Sequence, residues 1–196
     1  MNEELILAGL NLFDSADKWS SFLELVEMSD EIQERWWQKL QSELYQREFK
    51  NPTPGWDIYV WDISDIMWFI KGQTFDTLAI HFNKEYLSLS SYNDLDVDIV
   101  KELLENSKFD ILRSCFDRID ADDETYGEEY KIASERGNFY FDSIYDGQFE
   151  NQDMLSWYAG NRTREFADQI IAKVRKFQTP EITKLFQEIN RKCKVD

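Results

Sequence analysis

Five residues, Asn51-Pro52-Thr53-Pro54-Gly55, separate two different apolar rhythms in this chain. Before them, apolar side chains recur with helical spacing; after them, they alternate. The prolines forbid continuation of a helix and the glycine permits a turn. A change from a period near 3.6 to a period of two across such a stop implies helices first and strands second, which is an α+β chain.

Leu5, Ile6, Leu10 and Phe13 predict one short helix. Ser15 is placed to cap a second, with Trp19, Phe22, Leu23 and Val26 on its apolar stripe. Ser29 or Asp30 opens a third, in which Ile32, Trp36, Leu40 and Leu44 recur every four residues beside Trp37. Beyond the stop, Trp56, Ile58 and Val60 alternate with Asp57, Tyr59 and Trp61. Residues 67–70 form a short apolar run, and residues 77–82 and 86–90 alternate again. Lys71-Gly72-Gln73 and Asn83-Lys84 sit where turns belong, so this stretch reads as an antiparallel meander with Leu87 and Leu89 on one face.

Val97, Val100, Leu103 and Leu104 predict a helix, with Asp94, Asp96 and Asp98 around its first turn where the dipole favours anions. Residues 109–116 predict a second short helix. Residues 130–133 and 139–144 predict a hairpin about Gly137-Asn138. Phe166, Ile170, Val174 and Phe177 have helical spacing, and Thr179-Pro180-Glu181 is a strong helix start before the stripe Ile182, Leu185, Phe186 and Ile189. The expected fold is therefore α+β: an antiparallel sheet of about four to six strands, from residues 56–92 and 130–144, covered by N-terminal and C-terminal helices. A length of 196 residues suits a single domain over 1–196, with residues 152–196 as a possible helical appendage.

Charge narrows the function. Residues 1–159 carry 34 Asp/Glu against 13 Lys/Arg, a formal −21, while residues 160–196 carry 9 Lys/Arg against 5 Asp/Glu, a formal +4. A phosphate backbone is repelled by most of such a surface, and a basic protein is attracted. No stretch approaches the ~20 apolar residues that span a bilayer, and the acidic start Met1-Asn2-Glu3-Glu4 is unlike a signal peptide. Cys115 and Cys193, 78 residues apart, read as reduced thiols. The expected location is the cytoplasm.

The chemistry-bearing residues are few. His81 is the sole histidine and alternates with Ile80 and Phe82, which predicts a half-exposed strand residue on the opposite face. One histidine and two distant cysteines make no zinc site. Asp117, Asp120, Asp122, Asp123, Glu124, Glu128 and Glu129 crowd 13 positions. Hard cations use carboxylates like these. EF-hand spacing fails, because counting from Asp120 puts Thr125 at the glycine position and Lys131 at the final glutamate position. Glu129-Tyr130-Lys131 has the Glu-x-Lys form seen in metal-dependent nucleases, with Asp117 or Asp120 as the further carboxylate. Tyr59, Trp56, Trp61, Trp68 and Phe69 read as sheet–helix packing, with any exposed remnant suited to a protein partner. Around Trp157–Arg164, small residues predict a helix break with Thr163 capping the next helix, against an arginine pair for an anion.

The leading expectation is a small acidic interaction protein, not an enzyme, with no cofactor and no metal. It binds and masks a basic surface of a partner protein, such as a nucleic-acid enzyme or a toxin, as inhibitors, immunity proteins and DNA mimics do. The partner-binding residues are the seven carboxylates of residues 117–129. One alternative is a Mg²⁺-dependent enzyme of nuclease type using those carboxylates and Lys131. Another is a structural subunit of an oligomer.

Overall fold

The structure is a computed structural model and describes residues 3–62, 65–83, 86–90, 94–113, 132–133 and 152–195. It is mixed helix and sheet. Three helices come first: α1 (Glu3–Leu12), α2 (Ala16–Glu27) and α3 (Ser29–Lys50). Ser15 caps α2 by accepting the Lys18 N–H. α3 ends at Asn51, where the two prolines follow. Gly55 then takes φ 85°, a left-handed turn that suits glycine.

The chain next forms β1 (Trp56–Asp62), β2 (Asp65–Ile70), β3 (Ala79–Asn83) and β4 (Tyr86–Ser90), each antiparallel to the last. The two-residue β5 (Ile132–Ala133) pairs with β4, Leu89 opposite Ile132, so β1 stands at one edge of the described sheet. The β1–β2 register shifts between Val60 and Asp62. Then come α4 (Val97–Leu104), a 3₁₀ turn at Ser107–Phe109, α5 (Asp110–Arg113), α6 (Gln152–Asn161), α7 (Thr163–Arg175) and α8 (Pro180–Lys192). Asp96 is the N-cap of α4, accepting from the Asp98 and Ile99 N–H groups. Thr179 caps α8 with Pro180 behind it, as its sequence signal implies.

Alternation decides what each sheet face meets. Trp56, Ile66, Trp68, Ile70, Ile80, Phe82, Leu87 and Leu89 join one buried cluster with Trp37, Leu40 and Leu44 of α3, Phe166 and Ile170 of α7, and Ile182, Phe186 and Ile189 of α8. Met67, Phe69 and Ala79 form a smaller cluster on the other face, beside Phe75. β2 is thus apolar on both faces, which is why residues 67–70 read as a continuous run. Asn190 locks α8 to the sheet: its Oδ1 accepts the buried Leu78 N–H at 3.0 Å, and its Nδ2 donates to Gln73. Cys193 is a free buried thiol, and burial pushes it up to about 11.

The helix break expected within Trp157–Arg164 falls at Arg162, between α6 and α7, but its details differ from the expectation. Gly160 lies within α6, and a methyl group there would overlap the Trp36 indole of α3. Lys39 donates to the Gly160 carbonyl at 2.6 Å. Thr163 is the first residue of α7, not its cap; its hydroxyl donates to the Ala159 and Gly160 carbonyls. The glycine serves close helix packing, and the threonine closes the end of α6. Of the remaining sequence expectations, those for 114–131 and 134–150 lie outside the described residues.

Gly160→Ala sets an overpacking cost of ~1–3 kcal/mol against a helix-propensity gain of ~1 kcal/mol, so a net destabilisation is expected. Gly9→Ala in α1 meets no atom within 4 Å and is expected to be neutral or slightly stabilising. Urea denaturation of both variants checks the pair; equal midpoints would refute the packing account.

Candidate functional site

The acidic residues singled out from sequence, Asp117, Asp120, Asp122, Asp123, Glu124, Glu128 and Glu129, lie outside the described residues, as does Lys131. Among the described residues, no group of three His, Cys, Asp or Glu side chains is arranged to hold a metal ion. No described helix is long and apolar enough to cross a membrane.

His81 does lie opposite Ile80 and Phe82, but it is 4% exposed rather than half-exposed. Its Nε2 sits 3.1 Å from Asp65 Oδ1, two residues along β2 from its cross-strand partner Met67. Cross-strand diagonals on one face bring such pairs within reach. The face it occupies is half apolar: Tyr59 stacks on Phe75 at 4.1 Å, and Trp61 meets the same ring edge-on. Trp56, Trp68 and Phe69 are buried as packing residues, whereas Tyr59 and Trp61 are the exposed remnant.

The largest group of exposed apolar side chains among the described residues is in α1 and α2 and the residue that follows them. Helix periodicity puts Ile6, Leu7 and Leu10 on one stripe of α1, and Trp19, Leu23 and Val26 on one stripe of α2. Such stripes normally face a core. Here Ile6, Leu7, Leu10, Leu12, Trp19, Leu23, Leu25, Val26 and Met28 are all exposed, Leu10 to 68%. α2 has no buried residue at all. Phe13, Trp19 and Phe22 touch one another at 4.5–5.5 Å between ring centres and fasten α1 to α2. Residues 1–28 hold six Asp/Glu and one lysine, and that lysine, Lys18, pairs with Asp14 at 2.7 Å. The arm is therefore apolar and acidic together. Sequence periodicity found its stripes but carries no signal for which stripe finds a core.

At the other end of α3, Glu48 is buried, an arrangement the sequence does not announce. Arg175 Nη2 donates to Glu48 Oε1 at 2.9 Å and to the Asn51 carbonyl at 3.3 Å, while Nη1 reaches Thr53 and Gln178. One guanidinium so joins α3, the proline turn and the end of α7. Burial pushes the Glu48 carboxyl up, against the opposing pull of Arg175 and of the Trp68 indole. Arg162 and Arg164, the candidate anion-binding pair, line one open pocket together with Lys39, Glu43 and Glu165; Arg162 lies 3.6 Å from Glu165, and the Arg164 carbonyl accepts from Arg47.

Comparison with protein-family models, with curated proteins and with solved structures gives no significant match.

Arg175→Met strands the buried Glu48 carboxylate and is expected to cost about 3 kcal/mol near neutrality. Because Glu48 titrates above its ordinary 4.5 in the folded protein, the native state holds that proton longer than the unfolded chain does. The loss in the variant is therefore smallest below that ordinary value and grows as pH rises through the raised one. Urea unfolding between about pH 4 and pH 8 measures it; a loss independent of pH would contradict the assignment. Adding Glu48→Gln to Arg175→Met is expected to recover most of it.

Proposed function

We propose that this is an interaction protein that binds and masks a basic surface of a partner protein, as an inhibitor or immunity protein does, in the cytoplasm. The exposed apolar arm of α1 and α2 carries the reading. Nine exposed large apolar side chains within residues 6–28 amount to several hundred Å². That is on the order of the ~800 Å² per partner of a standard interface and is more than an unused surface normally shows. The acidic residues among them select an apolar partner surface rimmed by Lys and Arg. Self-association of the arm would set one net charge of −17 against another, which disfavours a second copy as its occupant.

In this reading the acidic run at residues 117–129 adds carboxylates that stand where phosphates would sit on the partner. The chain acts as one domain over 1–196, and its four- to six-stranded sheet, covered by helices from both ends, is the rigid base. Long-range attraction speeds the encounter, and the apolar stripes hold the complex.

The test compares the wild-type chain with Leu10→Ser/Leu23→Ser. Both positions are exposed, so the variant is expected to fold normally. Affinity capture from host lysate, followed by reconstitution with the purified partner, is expected to give one basic protein in near-stoichiometric amount. Salt near ~0.5 M should release it, since the screening length is then only a few Å, and the double variant should bind at least ~tenfold more weakly. Partners indifferent to both salt and the substitutions would refute the reading. A stable homo-oligomer in sedimentation, lost in the double variant, would replace it with the structural-subunit alternative.

A further inference from the structure

A pocket of about 540 Å³ opens where α6 meets α7, against α3. Packing fixes its walls. Gly160 lies against the Trp36 indole, and the buried Thr163 and Phe166 anchor the start of α7. The volume is within the ~300–1,000 Å³ usual for small-ligand sites.

The charged side chains that line it are Lys39 and Glu43 of α3 and Arg162, Arg164 and Glu165 at the joint. Three are basic and two acidic, so the lining is net positive in a chain whose formal charge is −17. The pairing among them is uneven. Glu43 is held by Arg47 at 2.8 Å, and Glu165 lies 3.6 Å from Arg162. Each carboxylate therefore has its cation. Lys39 and Arg164 pair with no carboxylate of the described residues. The Lys39 ammonium donates to the Gly160 carbonyl at 2.6 Å. That contact uses one of its three N–H bonds and leaves its charge whole. The Arg164 carbonyl accepts from Arg47, which holds the backbone there, while the Arg164 guanidinium makes no hydrogen bond within the described residues.

The other polar side chains of the lining are spent on the backbone. Asn161 Nδ2 donates to the Trp157 carbonyl at 2.8 Å, and the Thr163 hydroxyl donates to the Ala159 and Gly160 carbonyls. What the pocket offers a ligand is thus two positive charges, one a planar fork and one a point charge. A neutral molecule leaves both unmatched, and a carboxylate matches one. A phosphodiester chain brings one charge per group and must run along a molecule that repels it. A phosphate group with one ester bond or none carries about −1.5 to −2 on three or more clustered oxygens, enough for both cations at once.

We propose that this pocket binds the dianionic phosphate group of a small molecule. The Arg164 guanidinium grips two of its oxygens and the Lys39 ammonium a third. The site is separate from the apolar arm, and neither depends on the other.

The test is a titration of the ¹⁵N-labelled chain that follows the backbone amide signals of residues 160–165. It is run near pH 8, because the last phosphate proton leaves with a pKa of about 6. The probes are ribose 5-phosphate, inorganic phosphate and ribose. Ribose 5-phosphate is expected to shift these signals saturably, and ribose to leave them in place. Tighter binding of inorganic phosphate than of the ester would support the site and name the free ion as its ligand. Arg164→Gln, at an exposed position, is expected to fold normally and to weaken binding at least ~tenfold. Lys184→Gln, which removes the same charge from an exposed position of α8 outside the pocket, is expected to leave the affinity unchanged. No shift by either phosphate up to ~10 mM, a range that covers weak small-ligand binding, would overturn the proposal. Equal effects of the two substitutions would overturn it too, by showing general attraction to positive charge, as would ribose binding as well as its phosphate.

Discussion

Arg175 sits where three parts of the chain that share no regular hydrogen bonding have to meet. α3 ends at Asn51, whose carbonyl accepts from Arg175, the proline turn follows, and α7 closes against both. A lysine offers one point charge at such a junction, whereas the guanidinium presents a planar fork with several donors. It serves Glu48, the Asn51 carbonyl, Thr53 and Gln178 at once. That fork ties the turn between α3 and β1 to the end of α7. A buried ion pair is weak evidence of stability in itself; here it adds a directional tie between α3 and α7 to the apolar packing of the core.

Periodicity made the mixed helix-and-sheet character legible, because each rhythm is a direct image of backbone geometry. The caps at Ser15 and Thr179 were legible for the same reason: a hydroxyl before a helical stripe has one good use. What escaped depends on distant partners. Gly160 looks like a helix breaker until Trp36 is placed above it, 124 positions earlier in the chain. Asn190 reads as an ordinary polar residue in a helix until Leu78 offers its N–H. Alternation placed His81 on the correct face and said nothing of its burial. The acidic run at residues 117–129, central to the sequence reading, lies outside the described residues, and the apolar stripes of α1 with α2 are a surface that no motif marks.

The arm presents broad apolar area with negative charge around it, which suits a large partner whose encounter is steered from a distance. α3 begins where the arm ends, and its interior stripe of Trp37, Leu40 and Leu44 is buried, so the arm is joined to a helix held firmly by the core.

β1 has a further consequence. A strand at the edge of a sheet offers its outer backbone groups to any passing chain, and a long, flat apolar edge recruits copies of itself. This edge is uneven. Asp57 follows Trp56 near its start, and the register shift between Val60 and Asp62 breaks its regular spacing at the far end. An incoming strand would find a short ladder beginning beside a carboxylate and ending at a dislocation. The register shift opposes such pairing by geometry rather than by charge, and that part of the protection does not depend on salt.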